Sequence, residues 1–111
     1  MTDFSYLNVD NAYKLINQKV TKTPLVTNDY INNFLEAEIY FKLENLQNTG
    51  SFKLRGATHK ITKLIETVKD SGVVAYSSGN HAQAVAYASM INTISAKIIM
   101  PKTAPQIKIE N

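Results

Sequence analysis

Apolar residues recur at helical spacing over residues 8–20, where Val9, Ala12, Leu15, Ile16 and Val20 form one stripe and Asn8 or Asp10 is placed to cap its start. Pro24 ends the pattern, because the residue before a proline is pushed into extended backbone. Residues 27–35, TNDYINNFL, fit a short helix or a turn and do not choose between them. Residues 37–44, AEIYFKLE, alternate Ile39, Phe41 and Leu43 against Tyr40, Lys42 and Glu44, which predicts a half-buried strand. The turn-rich residues 45–51 follow. Leu54, Ala57, Ile61, Leu64, Ile65 and Val68 then fall on one helical face, with His59, Lys60, Lys63, Glu66 and Lys69 mostly elsewhere. This is the strongest amphipathic helix of the chain, and Asp70, Ser71 and Gly72 close it. Residues 72–78 read as a buried strand, residues 79–91 as an alanine-rich helix, and residues 96–101 as a second strand stopped by Pro101. Pro105 fits the first turn of a further helix.

Strand, helix and strand in that order make a βαβ unit, so the fold class is α/β with a parallel sheet and helices on its faces. Such a sheet needs cover on both sides, and about three strands and four helices supply it thinly. The 111 residues suffice for one modest domain, and 44% apolar residues for a core. The chain has no cysteine, which excludes disulfides and thiolate chemistry and is compatible with a reducing cytoplasm. Its start, MTDFSYLNVD, has neither the basic region nor the apolar run of a secretory signal. The net charge is +3, but the 12 Lys and Arg are scattered, which argues against a nucleic-acid partner. Residues 71–96 contain no Asp, Glu, Lys or Arg, yet Ser77, Ser78, Asn80, His81 and Gln83 make the stretch too polar for a membrane span. A charge-free stretch of this kind implies burial within a larger protein.

Two places could carry chemistry. In YSSGNHAQA (76–84) a strand gives way to a helix through Gly79. The first backbone N–H groups of a helix lack intrahelical partners and suit a carboxylate or phosphate. Ser77, Ser78 and Asn80 add donors there, while ordinary helix capping by Ser or Asn explains the same residues equally well. In GSFKLRGA (50–57), Lys53 could be an amine nucleophile, with Phe52 and Leu54 as apolar walls and Arg55 as a neighbouring charge, or a solvated surface residue. A nucleophile elbow and a P-loop are excluded by spacing, and His59 and His81 lack metal-ligand spacing.

GSFKLRGA, together with SSGNHAQAVAYAS, MPKTAP and the early KTPL, resembles the N-terminal part of the serine/threonine dehydratases. These are pyridoxal-phosphate enzymes of the tryptophan-synthase-β-like fold type II, a three-layer α/β/α architecture, with serine racemase as a relative. The resemblance implies that Lys53 bonds pyridoxal 5'-phosphate and acts as general base at the substrate α-carbon. It implies that Phe52 lies against the cofactor ring and that Asn80 hydrogen-bonds the ring hydroxyl. Ser77, Ser78, Gly79, Asn80 and His81 match the loop for the substrate carboxylate, and Ser78 also matches the serine acid/base of the racemases. The implied reaction is β-elimination of L-serine or L-threonine to a 2-oxo acid and ammonia, with full-length relatives expected to be homo-oligomers.

Relatives in this family are several times longer. The four glycines, Gly50, Gly56, Gly72 and Gly79, never cluster into the loop that cradles the cofactor phosphate, and the partner of the ring nitrogen lies late in the family. The expectation is therefore a truncated, N-terminal fragment, inactive alone. Residues 1–70 would be the first part of the larger, cofactor-binding domain, and residues 71–111 the incomplete start of the smaller α/β domain. The alternatives are a serine racemase-like enzyme and a non-catalytic remnant that binds a partner.

Overall fold

The computed structural model describes residues 5–110. Helix α1 (Tyr6–Ile16) begins where Ser5 accepts a hydrogen bond from the Asn8 N–H, so Ser5 caps it rather than Asn8 or Asp10. Ile16 is buried at its end and Val20 is buried beyond it, whereas Val9 and Leu15 remain exposed. Strand β1 (Leu25–Val26) pairs antiparallel with β2 (Phe41–Lys42), Leu25 opposite Lys42 and Val26 opposite Phe41. The strand expected over residues 37–44 thus shrinks to two residues, since its partner starts directly after Pro24. Between them α2 (Asp29–Leu35) resolves the ambiguous TNDYINNFL in favour of a helix, with Asn28 accepting from the Ile31 N–H at 3.0 Å. It stops at Glu36, which adopts left-handed backbone at φ 50°.

The long amphipathic helix divides into α3 (Lys53–Lys63) and α4 (Ile65–Val68), because Leu64 leaves helical geometry at φ −100°, ψ 13°. Gly72 then turns the chain at φ +75°. Strand β3 (Val73–Tyr76), helix α5 (Asn80–Ile91) and strand β4 (Ala96–Ile99) follow as expected. The two strands are parallel, with Val73 opposite Ala96 and Tyr76 opposite Ile99. Helix α6 (Gln106–Glu110) starts directly after Pro105.

The core lies where α3 packs on α5. Leu54, Ala57 and Ile61 from α3 meet Ala84, Val85 and Ala88 from α5, joined by Ile16, Val20 and Ile94. Alanines on α5 let the helices approach closely. Thr58 and Ser89 are buried in this region with hydroxyls that have no hydrogen-bond partner. At the far end Lys19 donates to Thr62 on α3 and to Asn92 at the end of α5, and Asn92 donates to the Ala88 carbonyl at 2.7 Å. No helix among the described residues is long and apolar enough to cross a membrane.

Candidate functional site

Lys53 is the first residue of α3, on the exposed side of the helix start. Its Nζ lies 5.0 Å from the centroid of the Phe52 ring, which is itself 61% exposed. The neighbouring Leu54 is fully buried in the core, so it is no wall for the lysine. The chain reaches Lys53 through a tight turn in which the Gly50 N–H donates to the Gln47 carbonyl at 2.7 Å. Gly50 takes φ +66°, a left-handed conformation that favours glycine.

Arg55 holds this helix start in place. Its Nε donates to Glu44 Oε2 at 3.0 Å and its Nη2 to Glu44 Oε1 at 2.7 Å, a two-pronged ion pair with both side chains largely buried. Arg55 Nη2 also donates to the Thr21 carbonyl at 3.1 Å, and the Thr23 hydroxyl donates to Glu44. The hydrogen bonds from Arg55 outweigh the cost of burial and hold the Glu44 carboxyl at about 2, against its ordinary 4.5. Gln47, 4% exposed, accepts from the Thr21 N–H at 2.8 Å and donates to the Thr21 carbonyl at 2.9 Å, so its amide imitates a paired strand. KTPL, the turn before the lysine and the first turn of α3 are thereby tied together. Arg55 is spent on this pair and is not a free charge beside Lys53.

The second arm is the β3–α5 connection. The Ser77 N–H donates to the Ile99 carbonyl at 3.1 Å, extending the β3–β4 ladder by one residue. Ser77 Oγ accepts from the Gly79 N–H at 3.2 Å. Gly79 occupies the capping position of α5, and no side chain caps the helix there. Capping by Ser or Asn therefore does not account for this loop. Ser77, Ser78 and Gly79 are half-buried; Asn80 and His81 are exposed.

A cleft of about 590 Å³ separates the two arms. Asn48, Thr49 and Gly50 line it from the turn before α3, and Asn80, Gln83 and Tyr87 from α5. Among the expected site residues Asn80 lines this cleft. Phe52 and Lys53 continue from one of its walls along the chain, and Ser77, Ser78, Gly79 and His81 adjoin Asn80. The hydroxyl of Thr49, a residue that lines the cleft, is buried without a hydrogen-bond partner, as is that of Ser51 two residues on, an arrangement that suits a polar ligand. An amine at a helix start, an uncovered aromatic ring and unpaired hydroxyls fit the carbonyl and ring of an aromatic aldehyde cofactor. Glu44, Gln47, Thr21 and Thr23, which hold the arm in place, had no signal in the hydrophobic pattern: each joins segments far apart in sequence.

The family model for pyridoxal-phosphate dependent enzymes matches residues 16–111, and the chain belongs to that family. The solved structures it resembles are enzymes of fold type II, so the α/β unit described above is part of that architecture. The L-threonine dehydratase biosynthetic IlvA of Lactococcus lactis is 52% identical over 101 residues, covering 91% of this chain and 24% of the relative. The serine racemase of Dictyostelium discoideum is 43% identical over 109 residues, covering 98% of this chain and 34% of the relative. The crystal structure of that racemase superimposes with a TM-score of 0.89 at 44% identity, over 94% of this chain and 34% of the other. The chain therefore spans about a quarter to a third of the length of these relatives. Dehydratases and racemases both stand among its relatives, and the family cofactor is pyridoxal phosphate.

Proposed function

We propose that this chain is the lysine-bearing part of a pyridoxal-phosphate dependent ammonia-lyase acting on L-serine or L-threonine in the cytoplasm. The observation that carries the reading is the exposed Lys53 at the start of α3, beside Phe52 and three residues beyond Gly50, which lines the same cleft as Asn80. Lys53 and Asn80 would hold the cofactor, and Phe52 would lie against its ring. The cofactor supplies an electron-poor ring that takes up charge when the substrate α-proton leaves. Lys53 Nζ takes that proton and can return it. The backbone N–H groups of Asn80 and His81, with the hydroxyls of Ser77 and Ser78, orient the substrate carboxylate at the start of α5, and the Gly79 N–H holds Ser77 Oγ beside them. Tyr87 and Met90 line the cleft on its α5 side.

Ser78 favours a second reading, racemisation, because its hydroxyl offers a second proton carrier at the same carbon. We also propose that residues 1–70 serve the larger domain and residues 71–111 the smaller one. The chain alone has no glycine cluster for a phosphate carrying roughly two negative charges, so we hold it inactive by itself.

The test is a chimera in which this chain replaces the matching third of the Dictyostelium serine racemase. Loaded with pyridoxal phosphate, reduced with borohydride and mapped by peptide mass, it should carry the label on Lys53. The isolated chain, treated alike, should show no preference for Lys53. Label on another lysine of the chimera overturns the assignment.

A further inference from the structure

Helix α3 begins without a capping side chain. Phe52 holds the capping position in right-handed helical backbone and makes no side-chain capping bond. The first turn closes locally instead. The Leu54 N–H donates to the Ser51 carbonyl at 3.5 Å and the Arg55 N–H to the Phe52 carbonyl at 3.1 Å. Both bonds reach back three residues and the first is long, so the backbone alone holds this turn weakly. Side chains supply the missing constraint. Successive residues on a helix point about 100° apart. Leu54 points into the core, where it is fully buried, and Arg55 turns to Glu44 and Thr23. Lys53 then points to the exposed side, its Nζ over the Phe52 ring. Burial of Leu54 is not directional, whereas the two-pronged bond from Arg55 Nε and Nη2 to Glu44 is. The acceptor is itself held. Glu44 opens the short turn Glu44–Leu46, and the buried Thr23 hydroxyl donates to it while accepting from Arg55 Nη2 at 3.5 Å.

We propose that Arg55, aimed by Glu44 and Thr23, is a positioning residue for Lys53: it sets the rotation of the first turn of α3 and so the place of Nζ at the substrate α-carbon. The proposal rests on the reading of Lys53 as the base. A misplacement of about 1 Å at a reacting group costs on the order of 100-fold in rate, so a small slip of this turn is felt in the proton step. Elimination and racemisation both begin with loss of the α-proton, and the positioning serves either.

The racemase chimera, loaded with pyridoxal phosphate, is compared with its Arg55→Lys, Thr23→Val and Thr23→Ser forms. Arg55→Lys keeps the charge and loses one of the two prongs. Borohydride label on Lys53 counts the loaded sites and the urea midpoint reads stability. Consumption of L-serine with hydrogen or deuterium on the α-carbon reads the proton step. Arg55→Lys and Thr23→Val should lower kcat per labelled Lys53 by about 10-fold or more, with KM changed less than about 3-fold. Their isotope effect should be no smaller than that of the unsubstituted chimera. Thr23→Ser, which keeps the hydroxyl, should return kcat to within about 2-fold. A purely structural tie lowers the urea midpoint and the number of labelled sites and leaves kcat per site alone; that result overturns the proposal. So does a rise in KM with kcat unchanged, a Thr23→Ser form as slow as Thr23→Val, or an isotope effect that falls toward unity, which puts the loss in another step. If Arg55→Lys does not fold, the two Thr23 forms decide on the same criteria. Label on another lysine of the unsubstituted chimera defeats the activity reading and this proposal together. Label on Lys53 with kcat unchanged in the variants defeats this proposal alone.

Discussion

Replacing Glu44 by Gln tests whether the Arg55 pair is an electrostatic clamp or merely a packing contact. The Glu44 carboxyl is held at about 2 instead of 4.5, chiefly by hydrogen bonds from Arg55. At 1.36 kcal/mol per pKa unit this shift corresponds to roughly 3 kcal/mol of folding stability. The folded pKa lies below the unfolded one, so the contribution is complete above about pH 5 and is lost as pH falls toward about 2. Glu44→Gln removes the titrating group and leaves Arg55 without its counter-charge. Urea unfolding at a series of pH values compares the two chains. At pH 6 the variant should be less stable by roughly 3 kcal/mol, the order expected when one member of a buried pair is lost. The gap should narrow below about pH 4.5 and nearly close near pH 2. Carboxylates shared by both chains cancel in the difference. A gap that stays constant with pH would refute the argument, since a loss of packing has no reason to titrate.

Gly72→Ala should destabilise the chain by roughly 2–4 kcal/mol, because a left-handed non-glycine residue costs about 1–2 kcal/mol and a clash adds to it. The added Cβ would lie 2.7 Å from the Ser95 carbonyl oxygen, and the urea midpoint reads the loss. Glu36→Gly should raise stability by up to about 1 kcal/mol, since a left-handed helix terminus favours glycine, while Glu36→Ala should give no gain in the same assay. Ser78→Ala in the chimera should abolish D-serine formation from L-serine and leave elimination in place; chiral chromatography that finds D-serine undiminished removes Ser78 from racemisation.

The hydrophobic pattern made α5, β3, β4 and the start of the long helix legible, because each has a clear period or an unbroken apolar run. It failed where tertiary pairing decides. β1 is only Leu25–Val26, too short to show a period, and it limits β2 to Phe41–Lys42. The break at Leu64 falls within an intact apolar stripe, so periodicity could not find it. Ser5 outcompetes Asn8 and Asp10 as cap by hydrogen bond geometry rather than residue type. The candidate site residues came from motif resemblance. The ties that hold them, Glu44 to Arg55 and Gln47 to Thr21, link residues 11 and 26 positions apart and exist only once the chain has folded.

Lys19 reaches both Thr62 and Asn92, linking the segment after α1 to the C-terminal parts of α3 and α5. One cation therefore fastens the turn after α1 to the ends of two helices, and neither helix end can leave that point without breaking one of its hydrogen bonds. Opening there is collective rather than piecemeal. In amide hydrogen exchange the last turns of α3 and α5 would behave as one unit with a shared opening free energy.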